Sequence, residues 1–299
     1  MDRITVACFI VALIGILLWG CQRKGNTTAE DPTVVALTRT GSEALNIHAR
    51  LACSYRYFSS EQDHPLVGIH GVWQVSDSSV QFGLGGLAFA VGSESLRTEP
   101  GGFIYGIYVE WTGGERWDYG GVGRVTMTAL TPRTIGTFAF TSDRDSTIVL
   151  NGYFNVPYAG APQAESSTRL SFTSSNTSEI PSVLTHLAFS YLNFYQYHRF
   201  GPTLTVWGIQ QDDTSCTMLT LYGLPNRTGL SSFGSSDPPH EWLTNSRLGD
   251  STRLVDWVPG SINLTAIWPV TRGTFQFSDS ARGISITDGQ FDVPYAGAP

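Results

Sequence analysis

The segment IYGIYVEWTGGERWDYGG, from Ile104 to Gly121, holds the densest group of residues that could bind a ligand. Aromatic residues alternate in it with charged ones on both sides of a Gly-Gly turn. Aromatic faces suit the C–H faces of sugar rings while carboxylates accept hydrogen bonds from hydroxyls, and aromatics are also enriched at protein interfaces. The segment predicts a glycan-binding or protein-binding surface that consists of Tyr108, Trp111, Trp117 and Tyr119.

The same residues also fit a β-hairpin whose aromatic side chains pack within the sheet. At a period of two residues, Trp111 shares a face with Val109, whereas Tyr108 shares the other face with Glu110. At least half of the aromatics then belong to the core. Both interpretations stay open at this point.

Motifs for catalysis or metal binding are missing from the sequence. It contains no HExxH, GxSxG, GxxxxGK[ST] or CxxC, and its six histidines do not fall at ligand spacings. TSDRDST, from Thr141 to Thr147, offers Asp143 and Asp145 to calcium but lacks the other ligands of a calcium loop, so a hairpin turn is favoured. We therefore predict no catalytic residue, metal or cofactor, and a non-enzymatic role is favoured without being decided.

The elements that position these residues come from a repeated unit. VPYAGAP occurs twice, and Gly136–Pro162 aligns with Gly273–Pro299 without a gap. Further upstream, RLACSY aligns with HLAFSY at nearly the same offset. A unit of roughly 130 residues matches one independent domain and not a solenoid repeat. We predict an internal duplication with copy 1 at residues 33–162 and copy 2 at residues 163–299.

Alternation of apolar and polar residues indicates antiparallel strands in both copies. In RVTMTAL, for example, Val125 and Met127 face one way and the threonines the other. The predicted fold class is all-β: two tandem antiparallel β-sandwich or barrel-like domains with about seven to nine strands each. Proline cannot donate to a ladder, so VPY is expected as a closing edge strand and AGAP as linker.

The N-terminal residues 1–20 have the layout of a secretory signal, with one basic residue before an apolar run. Together with Cys21, the run resembles the lipobox of bacterial lipoproteins, which implies cleavage before Cys21 and a lipid on that residue. Gln22 favours the outer membrane or cell surface, and residues 21–32 would be a flexible tether. An uncleaved anchor helix is the alternative, and in either case the membrane is a partner.

Charge and cysteine content narrow the partners further. The formal net charge is -7, and no basic stripe indicates a nucleic-acid partner. Two cysteines lie outside the signal and lipobox, Cys53 and Cys216, and they align with Phe189 and Val80. Because both counterparts are apolar, buried free thiols are favoured over a bridge between the domains.

The motif order GRVTMTALTP, GTFAFT and TIVLNGYFNVPY, repeated at Gly260 to Tyr295, resembles a domain of unknown function in bacterial exported lipoproteins. The resemblance implies an all-β lipoprotein and supplies no activity. Together these observations predict a lipid-anchored cell-envelope protein of non-catalytic binding or structural type. A hydrolase of envelope glycans and a passive spacer are the alternatives.

Overall fold

The computed structural model describes residues 34–40, 45–58, 64–75, 78–97, 106–112, 116–142, 146–147, 149–162, 168–193, 202–233, 239–247, 253–256 and 258–297. Thr33–Pro299 form one compact unit. In the described ranges the chain is all-β, with antiparallel ladders and no helix, as the alternation predicts. Within these ranges, no helix has the length and hydropathy to span a membrane.

The first half of this unit, residues 34–162, contains ten described strands. They are β1 (Val34–Arg39), β2 (Leu45–Ala49), β3 (Leu51–Tyr57), β4 (Leu66–Val75), β5 (Ser78–Ala88), β6 (Gly92–Arg97), β7 (Gly106–Thr112), β8 (Arg116–Ala129), β9 (Arg133–Ser142) and β10 (Val149–Pro157). They form one sheet in the order β2-β1-β10-β9-β8-β7-β5-β4-β3, and β6 also pairs with β8. The long β8 pairs with β7 near its start and with β6 and β9 further on. It therefore connects the β2-β1-β10-β9 part of the sheet with the β7-β5-β4-β3 part.

The second half, residues 168–297, contains eleven described strands in two sheets. They are β11 (Arg169–Ser174), β12 (Val183–Thr185), β13 (Ala188–Asn193), β14 (Thr203–Gln211), β15 (Ser215–Pro225), β16 (Gly229–Phe233), β17 (His240–Arg247), β18 (Arg253–Asp256), β19 (Gly260–Ala266), β20 (Val270–Asp279) and β21 (Ile284–Pro294). The sheet orders are β12-β11-β21-β20-β19-β16 and β13-β14-β15-β17-β18. Both halves exceed the predicted seven to nine strands, because short strands such as β12 are too brief to show a clear alternation.

Each half has its own hydrophobic core, built by the alternation seen in the sequence. Along β20 every second residue is buried, and on β8 Val125 and Met127 are buried as predicted. The first core includes Phe138 and Phe154, and the second includes Phe275 and Phe291. All strand pairs among the described residues lie within one half. The division into two domains agrees with this arrangement but stays a prediction, as does the duplication.

The strand that ends in VPY lies inside its sheet and is not an edge strand, so that expectation is wrong. β10 pairs with β1 on one side and β9 on the other, and β21 lies between β11 and β20. The prolines are tolerated because the neighbouring strand ends before them. Val34 pairs with Asn155, so β1 does not reach Pro157. No carbonyl of β1 therefore lacks a hydrogen bond because proline has no N–H.

A buried hydroxyl pair links two strands that are not ladder partners in each half, β3 with β9 in the first and β13 with β20 in the second. The Ser190 and Thr271 hydroxyls lie 2.6 Å apart, and Thr271 donates to the carbonyl of Ile267 at 2.8 Å. Ser54 and Thr134 form the same pair in the first half. Because all four side chains are fully buried, these bonds satisfy polar groups that would otherwise be costly to bury.

The two halves pack through the outer faces of β3–β5 and β13–β15. The interface cluster contains Cys53, Val72 and Ala159 from the first half and Phe189, Tyr191, Trp207, Ile209 and Cys216 from the second. His70 stacks there on Phe189, with ring centroids 5.7 Å apart, and contacts Trp207 at 4.9 Å. The interface is therefore mainly an aromatic and aliphatic layer.

Both cysteines are free thiols buried in this interface, as the sequence favoured. Burial raises the pKa of each, that of Cys216 to about 12, so both stay protonated at neutral pH. The alignment of Cys216 with Val80 is wrong by one position. Cys216 lies opposite Gln211 and Ser79 lies opposite Gln74, so the counterpart of Cys216 is the buried Ser79.

Two glutamines at aligned positions fasten the halves reciprocally. Gln74 donates to the Tyr295 hydroxyl at 2.8 Å and accepts from the backbone N–H of Leu192. In the same way, Gln211 donates to the Tyr158 hydroxyl at 2.6 Å and accepts from the N–H of Arg56. Each half thus donates a hydrogen bond to the tyrosine hydroxyl of the other half's VPY motif.

The AGAP segments begin as structure and not as linker, which corrects the sequence expectation. Ala159 donates its N–H to the carbonyl of Ser54, and Ala296 donates to that of Ser190, each at 2.8 Å. Ala159 is buried in the interface cluster, and Ala296 packs against it. The first residue of AGAP therefore helps to seal the contact between the halves.

Candidate functional site

The structure describes only part of the regions that the sequence singled out. Cys21 and the pair Asp143 and Asp145 lie outside the described residues. The corresponding turn of the second half is an ordinary hairpin turn. There Asp279 accepts hydrogen bonds from the backbone N–H groups of Ala281 and Arg282. It also forms an ion pair with the Arg282 guanidinium at 2.7 Å.

The aromatic segment forms a hairpin, β7 and β8, whose backbone register is defined. Tyr108 lies opposite Tyr119 and Trp111 lies opposite Arg116, while Trp117 is paired with Glu110. By this register, positions 108, 117 and 119 belong to one face of the hairpin and position 111 to the other. The side chains of these four residues lie outside the described part, so their role in binding stays a prediction.

A groove of about 470 Å³ lies on the outer face of the second half. Its lining consists of Leu230, Ser261, Asn263, Thr274, Phe275, Gln276, Asp288, Gly289 and Gln290. Phe275 and Gly289 are buried and form the floor, whereas the amide, hydroxyl and carboxyl side chains stand on the solvent side. The groove is therefore polar on its walls.

Strand register brings the groove residues into two neighbouring rows. Leu230 on β16 lies opposite Asn263 on β19, Asn263 opposite Thr274 on β20, and Thr274 opposite Gln290 on β21. In the next row Ser261 lies opposite Gln276. With strands about 4.8 Å apart, the first row spans roughly 14 Å across four strands.

A β-bulge in β21 shapes one wall of the groove. Phe275 pairs with Gly289 and Phe277 with Ile286, so two residues, Thr287 and Asp288, oppose the single Gln276. Asp288 adopts a φ of 52°, in the left-handed region that few residues other than glycine, asparagine and aspartate adopt. A Cβ at Gly289 would collide with the carbonyl oxygen of Phe275, so glycine is required at the floor.

The first half has no such bulge, and the gapless alignment of the two copies conceals this difference. Its strands β9 and β10 pair without a shift, with Phe140 opposite Leu150 and Phe138 opposite Gly152. The gapless alignment matches Leu150 with Thr287, but the structural counterpart of Leu150 is Ile286. The second half has one residue fewer in its hairpin and one more in its bulge.

The amides of the groove are free to bind a ligand. Within the described part of the chain, the side chains of Asn263, Gln276 and Gln290 have no hydrogen-bond partner, and all three are exposed. Each primary amide offers two donors and one acceptor. Sequence reasoning missed these residues because, on a strand, they look like an ordinary solvent-facing row.

The aligned positions of the first half carry different chemistry. Thr126 stands in place of Asn263 and already bonds to Ser93 at 3.0 Å, Ala139 replaces Gln276, and Tyr153 replaces Gln290. The signal available in the sequence was thus a difference between the copies: three amides at outward positions of copy 2 only.

Elsewhere the described residues offer little for catalysis. They contain no group of three or more His, Cys, Asp or Glu side chains placed to hold a metal ion. A second, mostly apolar cavity of about 160 Å³ lies between the halves, lined by Cys53, Leu187, Phe189 and neighbours. Its one thiol is protonated, as described above, and so a poor nucleophile.

No protein-family profile, no curated protein and no solved structure matches this chain. The resemblance to an exported lipoprotein domain therefore stays a prediction.

Proposed function

We propose that this chain is a lipid-anchored protein of the bacterial cell envelope that binds a ligand without changing it chemically. The groove of the second half carries the proposal, because it presents several unpartnered hydrogen-bonding side chains on an open surface. Amides and hydroxyls can hold a ligand but do not exchange protons near neutral pH, as a general acid or base must. The lipid on Cys21 and the address in the outer membrane or cell surface belong to the same proposal.

The way in which the halves are joined supports a binding role. The reciprocal bonds of Gln74 and Gln211 and the aromatic layer between them hold the outer faces on one compact unit. A preorganised surface loses less conformational freedom when a ligand binds. The hairpin residues Tyr108, Trp111, Trp117 and Tyr119 are a second candidate surface on the same unit.

The two alternatives make different demands on the groove. A typical glycoside hydrolase uses a pair of carboxylates that flank the scissile bond. Among the described residues that line the groove, Asp288 alone is a carboxylate. A passive spacer needs no unpartnered amides at all, so their presence on one copy favours binding.

A binding screen with product analysis tests the proposal. The full-length chain, kept soluble in a detergent without a sugar head group, is presented with a panel of glycans and envelope proteins, and bound and unbound glycans are then analysed by mass spectrometry. We expect binding with intact glycans. Shortened glycans would establish a hydrolase, and the absence of any binding would favour the spacer.

The contribution of the hairpin is measured with the double variant Trp111→Ala/Trp117→Ala. Trp268→Ala is the matched control, because Trp268 is 57% exposed at the turn between β19 and β20. Binding that survives the double variant unchanged would show that the predicted aromatic surface is not the site.

A further inference from the structure

We infer that the groove between β16 and β21 is a binding site for a neutral oligosaccharide. The inference rests on the proposed function and names the ligand class and residues of its site. Its centre is the set of amides Asn263, Gln276 and Gln290, with the hydroxyls of Ser261 and Thr274 between them.

The balance of donors and acceptors in the groove matches sugar hydroxyls. A hydroxyl donates one hydrogen bond and accepts others, so it is best served by groups that do both. Primary amides and side-chain hydroxyls have this property. The groove holds three amides and two hydroxyls in two adjacent rows, which suits a chain of hydroxyl groups and not a single polar atom.

Charge in the groove disfavours anionic ligands. No arginine, lysine or histidine is among the described residues that line it, and Asp288 adds a negative charge to its wall. Phosphates and carboxylates are bound in proteins by basic side chains or clusters of N–H groups. An anionic ligand is therefore disfavoured, and we take the ligand as neutral because amides and hydroxyls dominate the lining.

The apolar edge of the groove supplies the other half of sugar recognition. Leu230 is 74% exposed and is the first residue of the row that continues with Asn263 and Thr274. An exposed leucine next to amides offers apolar contact to the C–H face of a sugar while the amides take its hydroxyls. The row of roughly 14 Å across four strands is long enough for more than one ring.

Backbone pairing argues against an extended peptide as the ligand. Peptides that add to a sheet do so at an edge with free N–H and C=O groups. β19, β20 and β21 each have a partner strand on both sides. Among the described strands, β16 alone of the four ends the sheet order, so over β19, β20 and β21 the groove offers side chains and not backbone groups.

Isothermal titration calorimetry of the full-length chain tests the inference with two neutral probes, chitotetraose and maltohexaose. Glucose 6-phosphate serves as the anionic probe. We expect at least one neutral probe to bind and the anionic probe not to bind. In the double variant Gln276→Ala/Gln290→Ala the affinity should fall about tenfold or more, because two hydrogen bonds are lost.

The matched control is Tyr153→Ala, at the first-half position that aligns with Gln290 and is likewise exposed. It should bind as the unchanged chain does. If the neutral probes bind equally well to the double variant, the groove is not their site and the inference fails, while the proposed function stands. If the anionic probe binds more tightly, the ligand class is wrong. If no probe binds but the wider screen finds a ligand, only the inference fails; if both find none, the proposed function fails with it.

Discussion

Acidification should destabilise the interface between the halves through His70. This imidazole is 8% exposed and packs against Phe189 and Trp207, and its Nε2 has no hydrogen-bond partner among the described residues. Burial lowers the pKa of His70 from its usual 6.5 to about 4. The folded chain therefore keeps His70 neutral in a range where the unfolded chain protonates it.

The sign and size of the effect follow from that difference. Between pH 6.5 and pH 4 the unfolded state binds one more proton than the folded state, so stability falls as the pH falls. The slope is about 1.4 kcal/mol per pH unit, which gives a loss of roughly 3 kcal/mol over the whole range. Below pH 4 both states are protonated and this contribution stops changing.

Urea unfolding of Thr33–Pro299 from pH 7 to pH 4.5, followed by tryptophan fluorescence, measures this slope. His70→Leu removes the titrating group and keeps an apolar side chain in the interface, so its stability should depend less on pH by about 1 kcal/mol per unit. His64→Asn is the control, because His64 is exposed. A His70→Leu chain with the same pH dependence as the unchanged protein would refute the reasoning.

Three further changes test the packing, each read from urea unfolding. Thr271→Val should lower the unfolding free energy by about 1–3 kcal/mol, because a buried hydroxyl and carbonyl lose their partner; the exposed Thr274→Val is its control, and equal stability of the two would contradict a structural hydroxyl pair. Gln211→Ala should cost about 1–2 kcal/mol through its two lost bonds across the interface, and no loss would mean that the glutamine does not fasten the halves. A chain ending at Tyr295 should be about 1 kcal/mol less stable than one ending at Gly297, because the N–H of Ala296 is lost; equal stability would show that the turn is dispensable.

The all-β fold was predictable because its cause is local. Alternation along β8 and β20 records which side chains face the core, and a strand needs little more than that. The interior position of the VPY strand was not predictable in this way. Whether proline is tolerated depends on where the neighbouring strand ends, and β1 lies more than 100 residues away in the sequence from β10.

The interface and the groove needed the structure for a different reason. Gln74 and Gln211 look like any polar residues near the end of a strand, and only the docking of the halves brings them to Tyr295 and Tyr158. The bulge at Asp288 was concealed because a deletion in one turn compensates it in the alignment. The four aromatics of the hairpin were found by composition alone, and their binding role is still a prediction.

The measurement that tests the central proposal most directly is an NMR titration of the deuterated, ¹⁵N-labelled Thr33–Pro299 unit with a neutral oligosaccharide from the calorimetric panel. Its readout is the side-chain NH₂ resonances of Asn263, Gln276 and Gln290, together with the sugar's own spectrum. A non-catalytic binding site in the groove predicts that these amide resonances shift in a saturable manner while the sugar stays intact. Unmoved amide resonances at saturating sugar, or a sugar that is cleaved during the titration, would contradict the account.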